Sequence, residues 1–210
     1  MIMKSNIRIF LCTLIFVCTN VFSQETYKVL YEAKNIYPDD TNINSRALET
    51  FKRSRNVLTE FSLTFNSKES IFLRVDKVNN NQGSGFTIKP GTFINTYKNY
   101  EEKTYVNFMN NSITDNGSFV DLKWESTGES KKILDYEVHK FVYKEQDTFI
   151  VIWVSNDFKI NTGPLNYNGF SGLILELEEK YKQNGYDMGV IYSAYNIEKI
   201  KELKKPKFLN

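Results

Sequence analysis

Cysteine is almost missing from this 210-residue chain: Cys12 and Cys18 are its two copies. Everything after Cys18 therefore lacks disulfides and thiolate metal ligands, and its stability has to come from a packed core. Histidine occurs once, at His139, and a lone imidazole cannot build the multi-histidine sites that zinc takes. With four prolines in all and no Pro/Ser-rich linker, nothing divides the chain into two domains. Excess charge of either sign is missing too. Of 27 bases, two lie in the leader described below, which has no acid, so 25 bases face 25 acids in the remainder. That balance excludes a basic nucleic-acid face, and the Lys201, Lys204, Lys205, Lys207 cluster is expected to be a solvated tail. Serine-hydrolase elbow, phosphate-binding glycine loop and zinc-protease helix motifs are absent. Asp39, Asp40 and Asp115 lack calcium-ligand spacing. No cofactor, metal site or catalytic residue is assigned.

Long apolar runs are also lacking. The longest, Ile9 to Val17, is about half the ~20 residues that cross a bilayer. It follows Lys4 and Arg8 and leads into Val21-Phe22-Ser23, the pattern of a secretory signal. The expectation is a signal peptide over 1–23 and a single domain over 24–210 with no transmembrane segment, exported to the periplasm or associated with the outer membrane. Bulky Ile15-Phe16-Val17 before Cys18 argues against lipidation there.

What the chain has in quantity is aromatic residues, 16 Phe and 13 Tyr, set in short segments that alternate with polar residues. Phe61, Leu63 and Phe65 fall on one face of a strand and Ser62 and Thr64 on the other. Asn66 to Glu69 supplies a turn, and Ile71, Leu73 and Val75 resume the alternation as a hairpin. Further strands are expected over Thr26 to Lys34, Phe86 to Ile94, Lys103 to Met109, Phe119 to Trp124, Tyr136 to Tyr143, Thr148 to Ser155, Leu173 to Leu177 and Met188 to Tyr195. Helices are expected over Ser45 to Val57 and Ile197 to Leu203. Asn79 to Gly85 reads as a surface loop. The fold class is mainly β, an antiparallel sheet with one or two short helices.

The most specific stretch runs from Trp153 to Leu175. It holds a tryptophan strand, Asp157, the pair Gly163-Pro164, and Gly169-Phe170-Ser171-Gly172-Leu173-Ile174. This resembles the signature of the GLPGLI family, with Phe170 and Ser171 in place of Leu and Pro. Upstream, Trp124-Glu125, Lys132-Ile133 and Tyr136 to Lys140 are similar to the family's preceding segments, with Val138 where many members have cysteine. Farther back, Phe61-Ser62-Leu63 through Ser70-Ile71-Phe72 matches as well. The resemblance implies a bacterial envelope protein of Bacteroidota. By fold-level analogy it implies a curved sheet or open half-barrel, with a helix on its concave side.

Chemically, Gly163, Gly169 and Gly172 permit backbone angles closed to other residues and Pro164 fixes its own, so the motif makes a fixed irregular turn. The same missing side chains would let a ligand or partner approach. Candidate binding residues are therefore Trp153, Asp157, Gly163, Pro164, Gly169, Phe170 and Gly172, with Asp157 expected to orient the loop through backbone N–H groups. Three functions follow. The first is a non-enzymatic envelope protein that binds a hydrophobic ligand, or an outer-membrane protein partner, in a cavity lined by aromatic side chains. The second is a hydrolase using Asp157, Glu125 or His139, which needs two such groups within reach. The third is a docking module that adds a partner's strand to a free sheet edge. A filled or empty apolar cavity, clustered acids and an uncapped edge discriminate among them.

Overall fold

The computed structural model describes residues 25–37, 45–75, 87–183 and 186–209. The leader and the Asn79 to Gly85 loop lie outside them, as do Asp39 and Asp40. Among the described residues, eleven antiparallel strands form one sheet: β1 (Thr26–Ile36), β2 (Leu58–Phe65), β3 (Glu69–Val75), β4 (Asn95–Asn99), β5 (Thr104–Met109), β6 (Ser112–Ser118), β7 (Glu125–Ile133), β8 (Tyr136–Glu145), β9 (Thr148–Ser155), β10 (Leu173–Gln183) and β11 (Tyr186–Ile200). Their spatial order is β6-β5-β4-β3-β2-β1-β11-β10-β9-β8-β7. Two meanders, β1 to β6 and β7 to β11, thus meet at a central seam where Thr26 pairs with Ile200 and Ile36 with Gly189.

Connectivity forces the sheet to curl. Ten strand spacings of ~4.8 Å would spread a flat sheet over ~48 Å. Yet its two outer strands, β6 and β7, are consecutive in the chain, and the link from Ser118 to Glu125 reaches at most ~24 Å. The sheet is therefore rolled into an open half-barrel, as the mainly β, curved-sheet expectation has it.

Alternation decides which side chains enter the hollow. Val29, Tyr31 and Ala33 of β1 and Phe61, Leu63 and Phe65 of β2 point into it, all at most 2% exposed. Phe61 and Phe72 stack with centroids 5.1 Å apart, and Tyr192 meets both edge-on. Each such ring contributes about 2–3 kcal/mol by burial. The aromatic side chains of the hollow thus pack on one another. A smaller cluster on the outer face joins Ile71, Tyr97 and Phe108 to Leu203, Phe208 and Leu209.

Polar turns set the registers. Asn66 Oδ1 accepts from the N–H groups of Lys68 and Glu69 at 2.9 and 3.1 Å, closing β2 to β3. Asn110 and Asn111 both take positive φ, as a two-residue hairpin turn demands, between β5 and β6.

Several expectations are corrected. Helix α1 (Ser45–Ser54) forms, but it is not spread over the concave side: Phe51 stacks on Tyr37 and meets Tyr186 at one end of β1 and β11. Ile197 to Ile200 continues β11 instead of starting a helix, because those residues pair with β1; the short helical turn is Lys207–Leu209. Residues 87–94 and 119–124 are irregular, and β4, β6 and β7 are strands in their neighbourhood. The basic C-terminus is folded back, since Leu203 and Phe208 alternate with its lysines and pack on the outer face. Lys205 pairs with Glu69 and lies 4.9 Å from the Tyr97 ring centroid. No helix among the described residues is long and apolar enough to cross a membrane.

Candidate functional site

The connection between β9 and β10, residues 156–172, enters the hollow and becomes its inner wall. Thr162 holds it against β10: its N–H donates to Gly172 O at 3.0 Å, and Ile174 N–H donates to its carbonyl at 2.9 Å. Its hydroxyl donates to Ser70 Oγ at 3.2 Å, which in turn shares a 2.7 Å hydrogen bond with Tyr100. Each glycine of the motif sits where a side chain has no room. A Cβ at Gly163 would lie 2.5 Å from Ile174 Cβ, one at Gly169 2.4 Å from Leu122 O, and one at Gly172 2.3 Å from Ser155 O. Gly169 and Gly172 also have φ of +89° and +119°. Pro164 is buried, and Phe170 is buried edge-on against Trp124. Trp124 Nε1 donates to Asn168 O at 2.8 Å, and Leu122 N–H to the same oxygen at 3.2 Å. The motif thus ties the 119–124 link, and with it both sheet edges, to the centre of the hollow.

Tyr167, within this connection, joins two inward-facing ionisable groups, buried Lys98 and half-buried Glu179. Its carbonyl accepts from Lys98 Nζ at 3.0 Å, and its phenol donates to Glu179 Oε1. Lys98 projects inward from β4, 2% exposed, with Asn168 Oδ1 3.5 Å away. It has no ion-pair partner among the described residues, and burial pulls its amine down to about 7. Glu179 projects inward from β10 beside Leu177, opposite Ile150 and Val190. Burial raises its carboxyl above the usual carboxylate range, partly offset by the Tyr167 hydrogen bond. Burial first, and then the Glu179 charge, pushes the Tyr167 phenol strongly up. Glu179 borders an open cavity of about 430 Å³ between β1, β10 and β11, lined also by Gly91, Thr92 and Leu165. On the other side of the connection a cavity of about 510 Å³ is bordered by Tyr100, Phe119, Asp121 and Lys159.

The other residues singled out by sequence are placed apart from this pair. Trp153 lies on the face of β9 opposite Ile152 and Val154, with Lys131 Nζ 4.2 Å and Lys140 Nζ 5.7 Å from its ring centroid. Asp157 is exposed beside a 340 Å³ surface cavity. Its N–H donates to Ser155 Oγ at 3.4 Å, while the side chain that orients the loop is Asn161, whose Oδ1 accepts from Gly172 N–H at 3.3 Å. Glu125 pairs with Val142, and His139 with Ser130 and Val154; no hydrogen bond or ion pair joins them to Asp157 among the described residues. Lys98 and Glu179 escaped sequence reading, although the alternation Leu175, Leu177, Glu179 places the acid on the apolar face.

The sequence matches no family model and no curated relative. Among solved structures, PNGF-II in two crystal forms superposes with a TM-score of 0.58 in each, at 20% and 22% identity. The alignment covers 89% of this chain and 30% of the PNGF-II chain, so this chain spans less than a third of that protein. A DUF1329 family protein from Desulfovibrio piger aligns over 92% of this chain and 91% of its own at 9% identity, with a TM-score of 0.33. At these identities the PNGF-II likeness is one of fold.

Proposed function

We propose that this chain is an exported, GLPGLI-type envelope protein without catalytic activity, which docks an envelope protein partner by adding the partner's strand to β6. One observation carries the reading: the two sheet edges are not equally protected. Both edge strands carry a register shift, β7 between Ser126 and Ser130 and β6 at Thr114, but β7 adds Glu129, Lys131 and Lys132, charges that discourage strand addition. β6 has a single charged residue, Asp115, already held by Tyr105 at 3.0 Å. Its end stands beside a corner of exposed apolar side chains, Phe93 (60% exposed), Ile94 (40%), Met109 (41%) and Ile113 (52%). Register brings them together, since Asn95 and Ile113 both pair with Phe108 and Met109 pairs with Ser112. Backbone groups of a free edge supply affinity, and apolar side chains beside it supply selectivity. The hollow, filled by the chain's own rings, favours this reading over a hydrophobic carrier.

The test places a photo-crosslinking amino acid at Thr114 of β6 or at Thr127 of β7 in the producing cell. A single protein adduct at Thr114, absent at Thr127 and lost on Ile113→Lys, is expected. Equal labelling at both edges, or an adduct indifferent to Ile113→Lys, overturns the proposal.

A further inference from the structure

β10 carries three glutamates, and two have lysines: Glu176 pairs with Lys131 at 2.7 Å and Glu178 with Lys180 at 2.9 Å. Both face away from the hollow. Glu179, turned inward by the strand's alternation, has no ion-pair partner among the described residues. Its Oε1 takes the Tyr167 phenol, and it borders the 430 Å³ cavity, a volume suited to a small ligand. Tyr192 and Tyr181 also border that cavity; Tyr192 is fixed by accepting Thr92 N–H at 3.0 Å, and Tyr181, 37% exposed, stands at the mouth. Across it lie Asn35 and Leu165. The charged groups nearby are accounted for. Lys89 is exposed at the rim, while Arg74 donates to Thr92 O at 3.1 Å and lies 4.4 Å from the Phe93 ring centroid.

We propose that this cavity binds a small organic ammonium ion, its charge met by Glu179 and its alkyl groups by the faces of Tyr181 and Tyr192. A carboxyl without an ion-pair partner, in a cavity lined by two tyrosine rings, lacks one thing, a cation, and cations are what ring faces attract. A neutral polyol would leave the carboxyl's charge uncompensated. The direction of the Glu179 shift agrees, because a bound cation restores the ionised form that burial disfavours. Tyr167 and Tyr37, whose phenols burial also raises, stay neutral through the range of interest.

The probe is n-butylammonium chloride, titrated into the ¹⁵N-labelled protein and followed by amide resonances, with 1-butanol as the uncharged match. Butylammonium is expected to move the resonances of Thr92, Glu179 and Tyr192. Its affinity is expected to rise with pH as Glu179 ionises, over a range above that of an ordinary carboxylate, and 1-butanol is expected to leave the spectrum unchanged. Glu179→Gln, checked as folded by its overlaid spectrum, should weaken binding at least about tenfold and remove the pH dependence. Tyr181→Ala, at the exposed mouth, should weaken it about threefold without removing that dependence. Equal binding of 1-butanol, undiminished binding to Glu179→Gln, or no response to butylammonium overturns the proposal. None of these results bears on β6, so this inference and the docking proposal fail separately.

Discussion

At the scale of single residues, two glycines separate conformational strain from steric exclusion. Gly128 has φ +76° and nothing within 4 Å of the place a Cβ would take, whereas Gly172 has φ +119° and Ser155 O at 2.3 Å from that place. Gly128→Ala should cost about 1 kcal/mol, the left-handed penalty alone, and Gly172→Ala about 3 kcal/mol. Urea unfolding of both variants reads the difference. Lys98 gives a pH signature. Its folded pKa, about 7, lies below the ordinary 10.5, so between those values the unfolded chain binds more protons and stability rises with pH. Wild-type unfolding free energy should therefore climb from about pH 7 to about pH 9.5, before the tyrosines titrate, and the slope should flatten in Lys98→Met. A slope unchanged by that substitution would show that Lys98 is hydrated in solution.

Among the elements, β1 and β11 have partners on both sides and β6 on one. Hydrogen exchange should therefore be slowest in β1 and β11 and fastest in β6 and in β7, the other edge. Removing residues 201–210 strips Leu203 and Phe208 from Tyr97 and Phe108; a loss of about 3 kcal/mol is expected, read by thermal unfolding. The same contrast explains what was legible in the sequence. Strands with one buried face announce themselves, as Phe61, Leu63 and Phe65 do, and β9 is found at its observed bounds. β6 and β7 are exposed on both faces, so they carry no apolar alternation to read. Phe93 and Phe119 mimic strand residues, but their rings pack in irregular segments, on Arg74 and Tyr100 respectively. The glycine motif was legible as a fixed turn. The Lys98 and Glu179 pair was not, because what unites them is the through-space reach of Tyr167 across two distant strands.

For the molecule as a whole, each meander is local in sequence and one seam makes them a single sheet. Chains cut within 119–124 should give two fragments, 24–121 and 122–210, that reassociate through β1 and β11. Recovery of the intact chain's circular dichroism on mixing would verify this, and fragments that remain separate and unfolded would refute it. The seam also sets an order of events in time. Thr26 waits for Ile200, so a chain emerging from its N-terminus can build the outer strands of its first half long before its central strand has a neighbour on the other side. Such distant pairing slows folding. In the interval β1 is itself an open edge, and the apolar side chains destined for the hollow have no opposite wall; the last strand to appear is the one that closes the middle of the sheet.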